Sequence, residues 1–140
     1  MPITVTAPEG VLTEAGEREI LPRLSAALIE ASGATGNSFF SAIVGGTVHI
    51  LPSRHIYAGG ANRPVVMVEL KLPNIGLGSI EARQAFITTA AGIVVELCVP
   101  GHKPENTWIN IVNAPDGGWG IGERQFTGDA LIAAATAAAH

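Results

Sequence analysis

Residues 64–72 read PVVMVELKL. The run is apolar, valine-rich and opened by a proline, which suits a strand. Pro73 and the run Asn74-Ile75-Gly76-Leu77-Gly78-Ser79 lead from it into a helix, whose apolar residues Phe86, Ile87, Ala90, Ile93, Val94 and Leu97 recur at helical spacing. Gly101 stops that helix, and residues 107–113 (TWINIVN) supply another strand.

The same order of elements precedes this stretch. Residues 2–8 (PITVTAP) read as a strand with β-branched Ile3 and Val5 and alternating threonines. Thr13 is placed to cap a helix with Ile20, Leu21, Leu24, Ala27, Leu28 and Ala31 on one apolar face, ended by Gly33 and Gly36. Residues 38–51 (SFFSAIVGGTVHIL) are then expected as a strand with a bulge or bend at Gly45-Gly46, and HIYAGG closes on a Gly59-Gly60 turn.

The chain is thus a duplicated β-α-β unit, about 2–60 and 64–123, within one domain spanning 1–140. Parallel pairing inside each unit needs a helical crossover, and crossovers of one hand put both helices on one face of the sheet. The expected class is α+β, a four-stranded sheet with two helices on one face. The other face, expected to be apolar, is left for partner subunits. The Ala-rich tail 129–140 is expected to form a last helix, one that could pack on a neighbouring subunit.

Composition narrows the function classes. Hydrophobic residues make up 47% and charged residues 14% of the 140 positions, which is too apolar for a disordered chain and suggests surface hidden by association. A net charge of −4 without a basic stripe argues against nucleic acid as a partner. Apolar runs break well short of the roughly 20 residues of a membrane span, and the Met-Pro start lacks a signal-like region. The expected setting is cytoplasmic, without a membrane.

Few groups are placed for chemistry. Cys98, the single cysteine, reads as a small core side chain. His49, His55, His102 and His140 lack metal-site spacing, His49 reads as a structural strand residue, and neither metal nor cofactor is called for. Backbone N–H groups from Ile75 to Ser79, at a helix N-terminus, suit a carboxylate or phosphate. Lys71 at the end of the same strand adds a cation or is simply solvated. Pro2 becomes a secondary amine once Met1 is removed. An α-amine titrates near 8, burial lowers that value, and such an amine is a general base at neutral pH.

The amino-terminal proline on a strand, the duplicated unit and the ending NAPDGGWGIGE (residues 113–123) together resemble the tautomerase superfamily. The resemblance covers roughly residues 2–123. Trp119-Gly120-Ile121-Gly122 looks like the aromatic-GIG turn of the 4-oxalocrotonate tautomerase group, which implies that Trp119 walls the proline pocket. LPNIGLGS is similar to a segment of the macrophage migration inhibitory factor group whose backbone N–H, here near Ile75, faces the substrate; Trp108 and Asn110 fall where that group has its pocket tyrosine and asparagine. Length and the Trp108-Ile109-Asn110 strand also resemble the cis-3-chloroacrylic acid dehalogenase and malonate semialdehyde decarboxylase groups.

The resemblance implies a cofactor-independent isomerase assembled as a homotrimer, with pockets between subunits. Pro2 would be the catalytic base, and Lys71, Ile75, Trp108, Asn110 and Trp119 would bind a small 2-oxo or unsaturated carboxylic acid, or a phenylpyruvate-like enol. The family's arginines have no match here: Val11 or Leu12 and Trp108 hold the positions of two, and LKLPNIGLGS lacks the pair of the dehalogenases and the decarboxylase. Arg54, Arg63 and Arg124 are candidates to enter from another subunit. The alternatives are a hydratase or decarboxylase acting on an unsaturated or β-carbonyl acid, and a catalytically weak binding or structural trimer.

Overall fold

Alternation along the first strand decides which way the chain faces. In β1 (Pro2–Pro8), Ile3, Val5 and Ala7 are fully buried while Pro2, Thr4 and Thr6 point to the opposite face. The computed structural model describes residues 1–139, and His140, the last residue of the expected tail helix, lies outside the described residues. After β1 come α1 (Glu14–Ala31), α2 (Ser38–Ile43), β2 (Gly45–Leu51), β3 (Val66–Leu72), α3 (Ile80–Leu97), β4 (Thr107–Asn113), the hairpin strands β5 (Trp119–Ile121) and β6 (Arg124–Phe126), and α4 (Gly128–Ala137).

The main sheet has the order β2-β1-β3-β4. β1 pairs parallel with β2, β3 pairs parallel with β4, and the two units join antiparallel through β1 and β3. The α+β arrangement of duplicated β-α-β units is therefore borne out. Helices α1 and α3 bury Ile20, Leu24, Leu28, Phe86, Ala90 and Val94 against Ile3, Val5, Val68 and Leu70. Thr13 caps α1 by accepting from Gly16 N at 2.9 Å, and Ser79 caps α3 by accepting from Ala82 N at 3.0 Å. Arg23 ties α1 to Glu96 of α3 at 2.7 Å.

Four expectations need correction. First, residues 38–43 are helical rather than extended. The Asn37 side chain accepts from both Phe39 N and Phe40 N, and one helical turn then sets Phe39, Phe40 and Ile43 against the core. Second, Gly45-Gly46 is not a bulge, because Pro2↔Gly45 and Ile3↔Gly46 are regular ladder partners. Third, Ile87 is 37% exposed, since the buried stripe of α3 passes through its neighbour Phe86 instead.

The Ala-rich tail is helical from Gly128 to Ala137, as expected. α4 packs on its own chain: Leu131 is buried in the common core, Asn37 Nδ2 donates to Ala135 O at 2.9 Å, and Phe126 stacks within 5.9 Å of Phe39. Asn37 thus holds the start of α2 and the end of α4 together. Asn37→Ala is expected to cost about 1–2 kcal/mol from the lost cap and tertiary bond, measurable as a lower denaturation midpoint with an unchanged m-value.

Fourth, the open sheet face is mixed rather than apolar. It carries Thr4, Thr6, Thr47, His49, Glu69, Lys71 and Asn110 beside Met67, Trp108 and Val112. Strands of a half-covered sheet alternate apolar-in with polar-out, and only the helix-covered side needs continuous apolar surface. His49 belongs to this exposed face and bonds Thr47 Oγ1 at 2.9 Å. Cys98 is buried at the end of α3, and desolvation pushes its thiol up to about 11, which suits a core residue and not a nucleophile. No helix among the described residues is long and apolar enough to cross a membrane.

Candidate active site

The head of β1 lies where α2 turns into β2. The Met1 amine donates to Ile43 O, and Gly45 N donates back to Met1 O at 3.4 Å. These two backbone contacts fold the first residue into the protein, and Met1 is only 3% exposed. Desolvation by burial lowers its amine from 8.0 to about 6. Pro2 follows on the open face with its nitrogen in the Met1–Pro2 amide.

Pro2 and Trp119 share one cavity. Together with Met1, Ala42, Ile43, Gly45, Gly120 and Ile121 they line a cavity of about 370 Å³. The tryptophan is held edge-on to Phe126 at 5.5 Å, and the Arg124 guanidinium covers Phe126 at 4.5 Å. The short β5-β6 hairpin therefore presents one aromatic wall to Pro2.

Ile75 lies in a neighbouring cavity of about 250 Å³, which Met1 lines from the other side. The loop that carries Ile75 is held by its own carbonyls: Asn113 Nδ2 donates to Pro73 O and Gly76 O at 2.9 and 2.8 Å, and Arg83 Nε donates to Leu77 O at 3.0 Å. Gly76 is required there, because a Cβ would sit 2.7 Å from Leu72 Cβ.

The remaining candidates stand apart within one chain. Lys71 projects from the open face and pairs with Glu69 at 3.5 Å, both side chains being largely solvated, and it lines neither cavity. Trp108 and Asn110 lie on the same face of β4, opposite Met67 and Glu69, with β3 between them and β1. Arg63 bonds Asn106 Oδ1 at 3.0 Å and, like Arg54, is absent from both cavities, whereas Arg124 sits in the hairpin beside Trp119. No group of His, Cys, Asp and Glu among the described residues is placed to hold an ion.

Sequence reading missed Ile43 and Gly45 as neighbours of Pro2, and Phe40 and Leu131 as walls beside Met1. Once 38–43 is read as a strand, nothing local points to them. The Asn37-Ser38 step before two phenylalanines is the signal that was available, as a helix cap.

Burial of the Met1 amine has a consequence for a chain that keeps Met1. The unfolded chain binds more protons than the folded one between about pH 6 and 8, so stability rises with pH through that window. His102, also lowered by desolvation, acts in the same direction at lower pH. The expected gain is roughly 1 kcal/mol once solvent screening is allowed for. Melting curves at the two pH values, on protein whose mass includes Met1, check it; a lower melting temperature at the higher pH contradicts it.

No protein-family model and no curated protein matches this sequence. Solved structures do match. Pt0534 inactivated by 2-oxo-3-pentynoate is 23% identical with a TM-score of 0.75, covering 94% of this chain and 98% of that one. A fused 4-OT described as a symmetric trimer is 17% identical with a TM-score of 0.76 over 94% of this chain and 98% of its own. Malonate semialdehyde decarboxylase is 18% identical with a TM-score of 0.64, covering 88% and 92%. Two β-α-β units joined in one sheet, superposing on these structures over nearly their whole length, give this chain the fold of the tautomerase superfamily.

Proposed function

We propose that the chain is a cofactor-independent enzyme in which the Pro2 nitrogen, freed by loss of Met1, is the general base for keto–enol tautomerisation of a small 2-oxo or unsaturated carboxylic acid. The observation that carries this reading is the shared cavity of Pro2 and Trp119 at the head of β1. The amine next to it in the chain is already desolvated to about 6. A proline amine walled by Ile43, Gly45 and Trp119 is expected below the reference of about 8, which brings it into the range of a general base near neutral pH.

In this reaction the nitrogen takes the proton α to the carbonyl, and the C–H electrons move to the carbonyl oxygen as an enolate. The proton is then returned to oxygen or to the other carbon, so the sum is an isomerisation. A hydrogen-bond donor must face the developing oxyanion. The fused 4-OT described as a symmetric trimer supports a homotrimer, and in such a trimer Trp108 and Asn110, on the open face of one chain, would complete the Pro2 cavity of another. The likeness to malonate semialdehyde decarboxylase supports a second reading, with protonated Pro2 as the acid in a decarboxylation or hydration.

The test is intact-mass measurement together with exchange of the α-proton of 2-oxo acids in D2O, followed by NMR. Exchange is expected in protein lacking Met1 and not in protein that retains it. Equal exchange in both forms removes Pro2 as the base. Absence of exchange in the processed form makes the chain a binding or structural member of the fold.

A further inference from the structure

Met1 occupies, in the unprocessed chain, space that processing would open, and its manner of binding describes what fits there. Its carbonyl oxygen accepts from Gly45 N at 3.4 Å, one bond from the carbon attached to the Pro2 nitrogen. Its unbranched side chain is buried in the core cluster on the helix side of β1. Beyond it lies the cavity of about 250 Å³ walled by Ala31, Phe40, Ile75, Leu77, Ala82 and Leu131. Among the described residues no charged side chain lines that cavity, and the one side-chain hydroxyl there, Ser32, is committed to Leu28 O at 2.7 Å.

We propose that the Met1 seat, once vacated, is a tail subsite for an uncharged, unbranched aliphatic chain of a monocarboxylic 2-oxo acid, with the substrate oxygen taking the place of Met1 O at Gly45 N–H. The inference deepens the Pro2 reading and rests on it for the reaction, though not for the binding. A second carboxylate at the far end of the tail would be buried without a partner, so dicarboxylic acids of the same length are rejected. An aliphatic tail gains about fourfold in affinity for each methylene it buries, at ~0.8 kcal/mol each.

The test measures binding of acetate, butanoate, hexanoate and adipate by NMR titration, to processed protein and to protein that retains Met1, both identified by mass. Processed protein is expected to bind hexanoate about fifteenfold more tightly than butanoate, the product of two methylenes. Adipate is expected to be at least about a hundredfold weaker than hexanoate, and retained Met1 to weaken hexanoate at least about tenfold by occupying the seat. Ala82→Leu, which fills the cavity from α3, is expected to remove the length preference while leaving acetate unchanged. Equal affinity for all three monocarboxylates, or hexanoate binding untouched by Met1, overturns the tail subsite. Length-dependent binding without α-proton exchange from 2-oxohexanoate upholds the subsite and sinks the proline base instead.

Discussion

Pro2→Ala, in protein shown by mass to lack Met1, is expected to lower kcat/KM for 2-oxo acid enolisation by about 10²–10⁴-fold, the range for loss of a general base. The substitution keeps a free amine at the same chain position, because methionine is removed before alanine as well, so the change tests the proline and not the terminus. A primary amine is more freely placed and more strongly hydrated than the ring nitrogen, and it loses the orientation that the ring fixes. Pro2 is exposed at the head of β1 and pairs only with Gly45, so the fold is expected to survive. The wild-type rate should rise with pH through a value below about 8 and then level off. A rate within threefold of wild type at every pH would show that another group takes the proton.

Gly46→Ala is expected to cost at least about 3 kcal/mol, beyond the usual range of overpacking. A Cβ on Gly46 would stand 1.9 Å from Ile3 O and 2.7 Å from Ile3 C, and both are backbone atoms of the partner strand that cannot swing aside. Relief requires β1 and β2 to separate at the pair that holds the head of β1. Activity should therefore fall along with stability, because Ile43 and Gly45 bound the Pro2 cavity from the same junction. Chemical denaturation checks the first effect; a loss under about 1 kcal/mol would mean the strands give more easily than this geometry allows. Gly45→Ala is the matched control, since its Cβ meets nothing within 4 Å.

Much of the fold was legible because it rests on local, periodic signals. The helix caps at Thr13 and Ser79, the apolar stripes of α1 and α3, and the alternation in β1 and β3 each bury one face, and burial of a periodic face specifies its element. Two such units with parallel strands leave little choice of topology. The error at residues 38–43 has the same origin. SFFSAI is apolar and aromatic enough for a strand, and its helical state is decided by Asn37, which serves both its own first turn and a carbonyl 98 residues away. That second bond exists only when α4 has folded back.

The candidate site was legible in part for a related reason. Pro2 and Trp119 could be paired from their motifs, while the other walls come from separate elements: α2, the β3–α3 loop and α4. Lys71 shows the limit most clearly. Its position at the end of a strand and before a glycine run suggested an anion site, yet strand alternation turns it to the open face, where Glu69 two residues earlier meets it.

By itself the sequence determined the two β-α-β units, the side of the sheet that the helices cover, and the placing of a proline at the head of the first strand, because each depends on residue spacing within one element. Tertiary structure alone decided that residues 38–43 are a helix, that α4 seals its own chain, and that Met1 is buried between Ile43 and Gly45. Those outcomes depend on close approach between segments far apart in the chain, and the energy of such contacts has no periodic signature in the sequence.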